Sequence, residues 1–346
     1  MSRPFRIPAR FERRLLLGLL SLPLLVLRRL GKPRVSPEGF ELDPQVAFII
    51  ELMRLTKEPD LTSGSVADAR ERLERTGPVL DFNVPSVTAE DRFVPGGAGE
   101  RRARIYTPAQ KSSGALVWFH GGGFVLGSIE SHDGICRKLA DAAGVTVISI
   151  DYRLAPEHRF PAAFDDAVAA TRWAIANAAS LGFDPRKVAV GGDSAGGNLT
   201  AVTTRALARD DAPVAFQLLV YPAVDLTRAE PSHRSFAEGY LLTGASMSWF
   251  IDRYVESPDL GTHPDVSPIF AADLSGLAPA LVITAGFDPL RDEGRKYAAR
   301  LREAGNQVEH VEQTGMVHGF FNMGAGVRAA TETVTLVANR LRAALG

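Results

Sequence analysis

The sequence predicts an α/β fold, with one mainly parallel central sheet, helices on both faces and a helical cap (lid). Three observations carry that prediction. From residue 103 onward, short runs of Val, Ile, Leu and Phe alternate with longer helical stretches, the pattern of strands joined by crossover helices. Several strand runs, such as Ala115–Phe119 and Val145–Ile150, are almost continuously apolar, as expected of strands buried on both faces. Finally, about 59 residues separate Val220 from Ala280, too long for a structureless link and suited to an inserted subdomain.

The elements follow in chain order. Residues 1–34 hold nine cations (Arg3, Arg6, Arg10, Arg13, Arg14, Arg28, Arg29, Lys32, Arg34) against Glu12, a net +8 that leaves −9 for the remainder. Inside this segment Leu15–Leu27 is apolar apart from Gly18, Ser21 and Pro23. As a helix it reaches roughly 20 Å, short of a bilayer core of about 30 Å. Three readings stay open. The charged start and apolar length suit a secretory signal, and Arg13-Arg14 before leucines is faintly like a twin-arginine signal. Against it, Arg28-Arg29 follow at once without a small-residue cleavage site. A basic, apolar segment also suits peripheral contact with an anionic membrane through residues 1–34. The third reading is a helix broken at Pro23 and packed on the cap.

Glu41–Lys57 carries Val46, Phe48, Ile49, Ile50, Leu52, Met53 and Leu55, with Pro44 where a helix begins. Ser65–Arg75 reads as a second helix, charged on one face. Gly77-Pro78 and Pro95-Gly96-Gly97 punctuate the next stretch. Strands are then predicted at Ala103–Thr107, Ala115–Phe119, Val145–Ile150, Lys187–Val190, Phe216–Val220, Ala280–Thr284 and Val308–Val311. Helices are predicted at Asp133–Ala143, Pro161–Ala179, Ala195–Arg209, Leu290–Ala304 and Val327–Leu345, with another around Ser246–Val255 in the long interval. This gives an amino-terminal extension at 1–40, a first cap segment at 41–85, an α/β domain at 86–225 and 263–346, and a second cap segment at 226–262. No repeat or low-complexity segment is evident.

Bulk composition narrows the classes. Hydrophobic residues make up 45% and charged residues 23%, ordinary for a soluble globular chain, and a net charge of −1 gives no overall pull toward nucleic acid. Cys136 is the sole cysteine, so no intrachain disulfide forms and no oxidising compartment is required. It reads as a small buried apolar residue. Paired-Cys and His-Glu-x-x-His spacings are missing, so no metal site is predicted. Asn198-Leu199-Thr200 matches a glycosylation acceptor but falls within a predicted helix, where the match is incidental.

Two glycine motifs carry chemistry. In Gly192-Asp193-Ser194-Ala195-Gly196-Gly197 a serine sits on a strand-to-helix turn tight enough to expose its hydroxyl, with glycines where strand and helix meet at close approach. In His120-Gly121-Gly122-Gly123, unshielded peptide N–H groups end a strand, where they can hold a developing oxyanion. Such donors are worth roughly 3–4 kcal/mol each. Gly122 and Gly123 are assigned that role, together with the N–H of Ala195. A phosphate-binding nest is the other reading, but no Lys-Ser or Lys-Thr follows. The fold that uses this order, Ser then acid then His, needs a histidine late in the chain. His310 and His318 qualify by position. His310 falls within a strand's alternation, whereas His318 lies in a loop, Gly315–Phe320, flanked by glycine. Asp288 is first into the loop after Ala280–Thr284. Asp292 and Glu293 follow a turn later, on the helix surface or in its first turn.

These pieces resemble the hormone-sensitive-lipase-like family of α/β-hydrolase carboxylesterases over about residues 41–346. The resemblance also rests on Asp151-Tyr-Arg-Leu-Ala-Pro-Glu157, Tyr221-Pro222, Gly286-Phe-Asp-Pro-Leu-Arg-Asp292 and His318-Gly-Phe. It implies a serine carboxylesterase acting on small-molecule esters of short to medium acyl chain. The implied triad is Ser194, Asp288 and His318, the oxyanion hole Gly122, Gly123 and Ala195, with no cofactor. In the Asp151–Glu157 segment, Arg153 and Glu157 are expected to brace the base of the site without taking part in catalysis. The expected location is cytoplasmic, with or without peripheral membrane association, and a homodimer stays open. Amidase or deacetylase chemistry on the same triad is the nearest alternative. A non-catalytic receptor on the same fold is the alternative of another class; such proteins lose the base, whereas His318 stands in its expected loop.

Overall fold

In the computed structural model, which describes residues 9–84, 86–208 and 214–346, four helices precede the first strand. They are α1 (Ala9–Leu20), α2 (Leu24–Gly31), α3 (Pro44–Thr56) and α4 (Val66–Leu80). The rest alternates: β1 (Thr88–Pro95), β2 (Glu100–Thr107), β3 (Ala115–Phe119), α5 (Asp133–Ala143), β4 (Thr146–Ile150), α6 (Ala162–Ala176), α7 (Ala178–Leu181), β5 (Val188–Asp193), α8 (Ala195–Ala208) and β6 (Phe216–Val220). Then come α9 (Ser232–Ser235), α10 (Gly244–Tyr254), β7 (Ala280–Phe287), α11 (Arg291–Glu303), β8 (Val308–Val317) and α12 (Arg328–Leu345).

The strands form one sheet in the order β1-β2-β4-β3-β5-β6-β7-β8. All pairings from β4 through β3 to β8 are parallel, while β2 runs antiparallel to both β1 and β4. Every residue of β3 to β7 is buried. Period-two geometry splits them between the two faces. Leu116 and Trp118 of β3 join the core shared with α5 and α12, while Val117 and Phe119 join the one shared with α6 and α8.

The predicted strands and main helices are all present, but α4 runs through Gly77-Pro78, expected to punctuate the chain, as far as Leu80, and two strand features also differ. The sequence reading missed β1, in which Val94 alone is buried and charged residues fill the middle, so apolar periodicity gives no signal. Its eight residues are held through backbone pairing with β2. In addition, β7 and β8 run on to Phe287 and Val317, which brings their loops to the sheet edge at Asp288 and His318.

The amino-terminal helices break at Pro23, as expected of a residue without an N–H. They pack inward through Leu20 and Leu27. Gly31 lies so close to α3 that a Cβ there would meet the Phe48 nitrogen at 2.5 Å. Asp43 caps α3 by accepting from the N–H groups of Gln45 and Val46, and Ser65 with Asp68 forms a capping box on α4. The Asp43 N–H donates to Gly315 O at 2.9 Å. Gln45 Nε2 donates to Leu20 O at 3.1 Å and Gly326 O at 2.7 Å, so α3 is bonded on both sides of His318. Among the described residues, no helix is long and apolar enough to cross a membrane.

Candidate active site

Ser194 occupies the turn between β5 and α8 at φ +56°, a left-handed conformation unusual for a side chain with a Cβ and a mark of local strain. Its N–H is held by Val220 O at 2.9 Å. The turn is this sharp because nothing but hydrogen fits at its flanks. A Cβ on Gly192 or Gly196 would run into the Phe119 carbonyl oxygen.

The three side chains picked out from sequence meet here. His318, just past β8, places Nε2 2.9 Å from Ser194 Oγ and Nδ1 2.8 Å from Asp288 Oδ2. Asp288, just past β7, is fully buried, and its Oδ1 accepts the Leu290 N–H at 2.8 Å. The Tyr221 ring lies 4.7 Å from the His318 ring, centroid to centroid. His310 lies in β8, with Nε2 2.9 Å from Thr284 Oγ1, and takes no part.

The glycine loop lies against the same turn, its Gly121 packed beside Asp193. Gly122 (φ +120°) and Gly123 (φ +61°) have backbone conformations that favour glycine. The N–H of Gly121 is already engaged by Asp193 Oδ1 at 2.9 Å. Among the described residues, the N–H groups of Gly122, Gly123 and Ala195 have no internal acceptor. The Phe250 ring of α10 occupies the space a Cβ on Gly123 would need, and Tyr254 of the same helix stacks on Phe124 at 3.7 Å. The loop is thus roofed by aromatic rings from the inserted segment.

Beneath the turn lies a buried network that the sequence reading did not find. Besides holding Gly121, Asp193 lies 3.4 Å from His132 Nε2, and both are buried. Burial works against each charge, yet their mutual attraction wins, holding Asp193 below and His132 above the usual range. His120 stacks on Tyr152 at 4.3 Å, and Tyr152 Oη donates to His120 O at 2.7 Å. Burial, reinforced by neighbouring His132, pushes His120 down to about 3, so it is neutral. Its Nδ1 lies 2.8 Å from Gly121 O, which fixes the Nδ1–H tautomer.

A pH dependence follows. His120 takes a proton near pH 6.5 when unfolded and near 3 when folded, so its contribution is fully present above 6.5 and drains as pH falls toward 3. Between pH 7 and 5 the loss through this group is about 2 kcal/mol. His120→Asn lacks the imidazole. Although less stable at pH 7, the variant is expected to lose clearly less stability than wild type on going to pH 5, as read from urea midpoints. An equal loss in both would refute the assignment.

One sequence expectation is met in one of its two forms and another needs correction. Asp292 and Glu293 are both in the first turn of α11, where Glu293 is fully buried. Its Oε2 lies 2.6 Å from His233 Nε2 of α9, and its Oε1 accepts the N–H groups of Val224 and Asp225. Burial pushes Glu293 up to about 7, and Glu293 in turn raises His233 against burial. Ser232 Oγ also donates to Pro289 O at 2.6 Å, so α9 clamps the loop of Asp288. The correction is Glu157. Arg153 bonds the buried Asp166 at 2.9 Å, but Glu157 turns outward to Arg70 of α4 at 2.7 Å and does not brace the site. Cys136 is buried, as expected. Among the described residues, no group of three or more His, Cys, Asp or Glu side chains could hold a metal ion.

Comparison with known proteins agrees with this fold. Residues 116–322 match a family described as the alpha/beta hydrolase fold. A carboxylic ester hydrolase of Mycobacterium tuberculosis is 42% identical over 85% of this chain and 81% of its own length. An ethyl acetate hydrolase of Pseudomonas putida is 40% identical over 69% of this chain and 77% of its own. Among solved structures, an ester hydrolase from the metagenome of Lake Arreo, complexed with a bipyridine phosphonate derivative, aligns with a TM-score of 0.84. It is 42% identical and covers 87% of this chain and 98% of its own.

Proposed function

Because the chain belongs to the α/β-hydrolase fold family and is a carboxylic ester hydrolase of the hormone-sensitive-lipase-like type, we propose that Ser194, His318 and Asp288 are its catalytic triad, with Gly122, Gly123 and Ala195 as the oxyanion hole. The observation that carries this reading is the unbroken relay from Asp288 through His318 to Ser194, at 2.8 and 2.9 Å, beside backbone N–H groups without internal acceptors.

Ser194 Oγ attacks the ester carbonyl carbon while His318 Nε2 takes the hydroxyl proton. The carbonyl oxygen becomes an oxyanion held by the three N–H groups. Asp288 keeps the Nδ1 proton on its own side of the ring and stabilises the imidazolium. The carbon–oxygen bond to the alcohol then breaks, and the alkoxide leaves with the proton from His318, giving an acyl-enzyme. Water, deprotonated by His318, attacks the acyl carbon, and collapse of the second tetrahedral species returns the hydroxyl to Ser194 and releases the acid.

Residues 41–85 and 226–262 act as a two-part cap. The Phe250 ring against Gly123 supports a preference for short to medium acyl chains, because it takes up room beside the reacting carbonyl. Hydrolysis of p-nitrophenyl acetate, butyrate and palmitate by the full chain tests this. Acetate and butyrate are expected to turn over much faster than palmitate. A palmitate rate above that of butyrate would overturn the chain-length reading. Failure of a fluorophosphonate to label Ser194 would overturn the triad.

A further inference from the structure

The outer face of the amino-terminal helix pair combines two features that water alone does not favour. Among the described residues, nine large apolar side chains are strongly exposed. Six of them fall within residues 15–35: Leu15, Leu24, Leu25, Val26, Leu30 and Val35. The charged residues around them are all cationic, since residues 13–35 hold six Arg and Lys and no carboxylate.

The geometry separates an inner from an outer side. Leu27 and Gly31 of α2 are buried toward α3. Leu25, 77% exposed, and Arg29, one turn further on, point the other way. On α1, Leu15 is 60% exposed next to exposed Arg14. Arg28 and Lys32 are partnered, by Glu41 and Glu51 respectively, each at 2.8 Å. Neither Arg14 nor Arg29 forms an ion pair among the described residues.

We propose that this face docks on an anionic membrane surface, with the leucines entering the headgroup–acyl boundary and Arg14 and Arg29 meeting lipid phosphates. Charge decides between this occupant and a second copy of the chain. A two-fold dimer would set the patch against itself, cation against cation. Broken at Pro23, neither helix is by itself long and apolar enough to cross a bilayer, so docking is peripheral.

The face is coupled to the chemistry. Gln45 bonds the end of α1 at Leu20 O and the segment after His318 at Gly326 O, while Asp43 bonds Gly315 ahead of it. Resting on the esterase reading above, the inference narrows the substrate class to esters of short to medium acids whose lipophilic alcohol part partitions into a bilayer, delivered to a site tethered to the docked helices.

Cosedimentation of the full chain with vesicles of phosphatidylcholine alone, or mixed with phosphatidylglycerol, tests the docking. The double variant Leu25→Asp/Arg29→Glu alters two exposed side chains remote from Ser194. Wild type is expected to sediment with the mixed vesicles and much less with the neutral ones, and salt should weaken the binding. The variant is expected to lose at least about tenfold in partitioning, with unchanged hydrolysis of dissolved p-nitrophenyl acetate. Equal partitioning of wild type and variant would overturn the proposal. So would a wild-type dimer, seen by light scattering, that the same variant splits. Loss of ester hydrolysis by wild type would instead count against the esterase reading and leave the vesicle result to judge the docking.

Discussion

Ser194→Ala is expected to lower kcat for a butyrate ester by about 10⁵- to 10⁶-fold while leaving the fold in place. The size of the effect follows from what remains. Without Oγ there is no nucleophile to form the acyl-enzyme, and His318 has no hydroxyl from which to take a proton. The N–H groups at Gly122, Gly123 and Ala195 still face the bound carbonyl, so a residual rate above the uncatalysed one should persist. Alanine enters the φ +56° conformation at a cost similar to that of serine, because the strain arises at Cβ, which both share. Two measurements read the outcome: steady-state kinetics on the purified variant, and covalent labelling by a fluorophosphonate, which should vanish. A variant with a few per cent of wild-type activity would mean that another group is the nucleophile.

Asp288→Asn is expected to cost about 10⁴-fold in kcat with little change in KM. The two carboxylate oxygens are not equivalent. Oδ1 accepts from the Leu290 N–H at 2.8 Å, and Oδ2 faces His318 Nδ1. An asparagine keeping its oxygen toward Leu290 must turn its NH₂ toward Nδ1. That ring nitrogen then accepts, the proton moves to Nε2, and Nε2 now points a hydrogen at Ser194 Oγ instead of a lone pair. The base is disabled without being moved. The check is a kcat and KM determination alongside a thermal melt. A loss of less than tenfold would mean that Asp288 does not set the tautomer.

Much of this site was legible because fold and chemistry share one signal. A run such as Ala280–Thr284 marks a buried strand, and the first carboxylate after it, Asp288, is the one the proposed triad takes as its acid. The same logic separated His318 from His310, one past a strand and one within it. What escaped lacks such a signature. Glu293, three residues into a charged helix segment, looks like a dipole-facing surface residue until its partner His233, 60 positions away, is in place. Asp193 sits inside a recognised motif, yet the motif says nothing of His132, which reaches it from the start of α5. Strand β1 was missed because it is built from backbone hydrogen bonds at an edge, and side-chain periodicity cannot report those.

The loops bearing Asp288 and His318, the proposed acid and base, are each fastened to a different one of the two proposed cap segments, Ser232 and His233 holding the one, Asp43 and Gln45 the other. The scaffold and its cover therefore cannot be treated as separable modules. Trimming the cover to widen access would also unmoor the carboxylate or the imidazole. Heat inactivation should accordingly follow release of these tethers, well before the sheet itself melts.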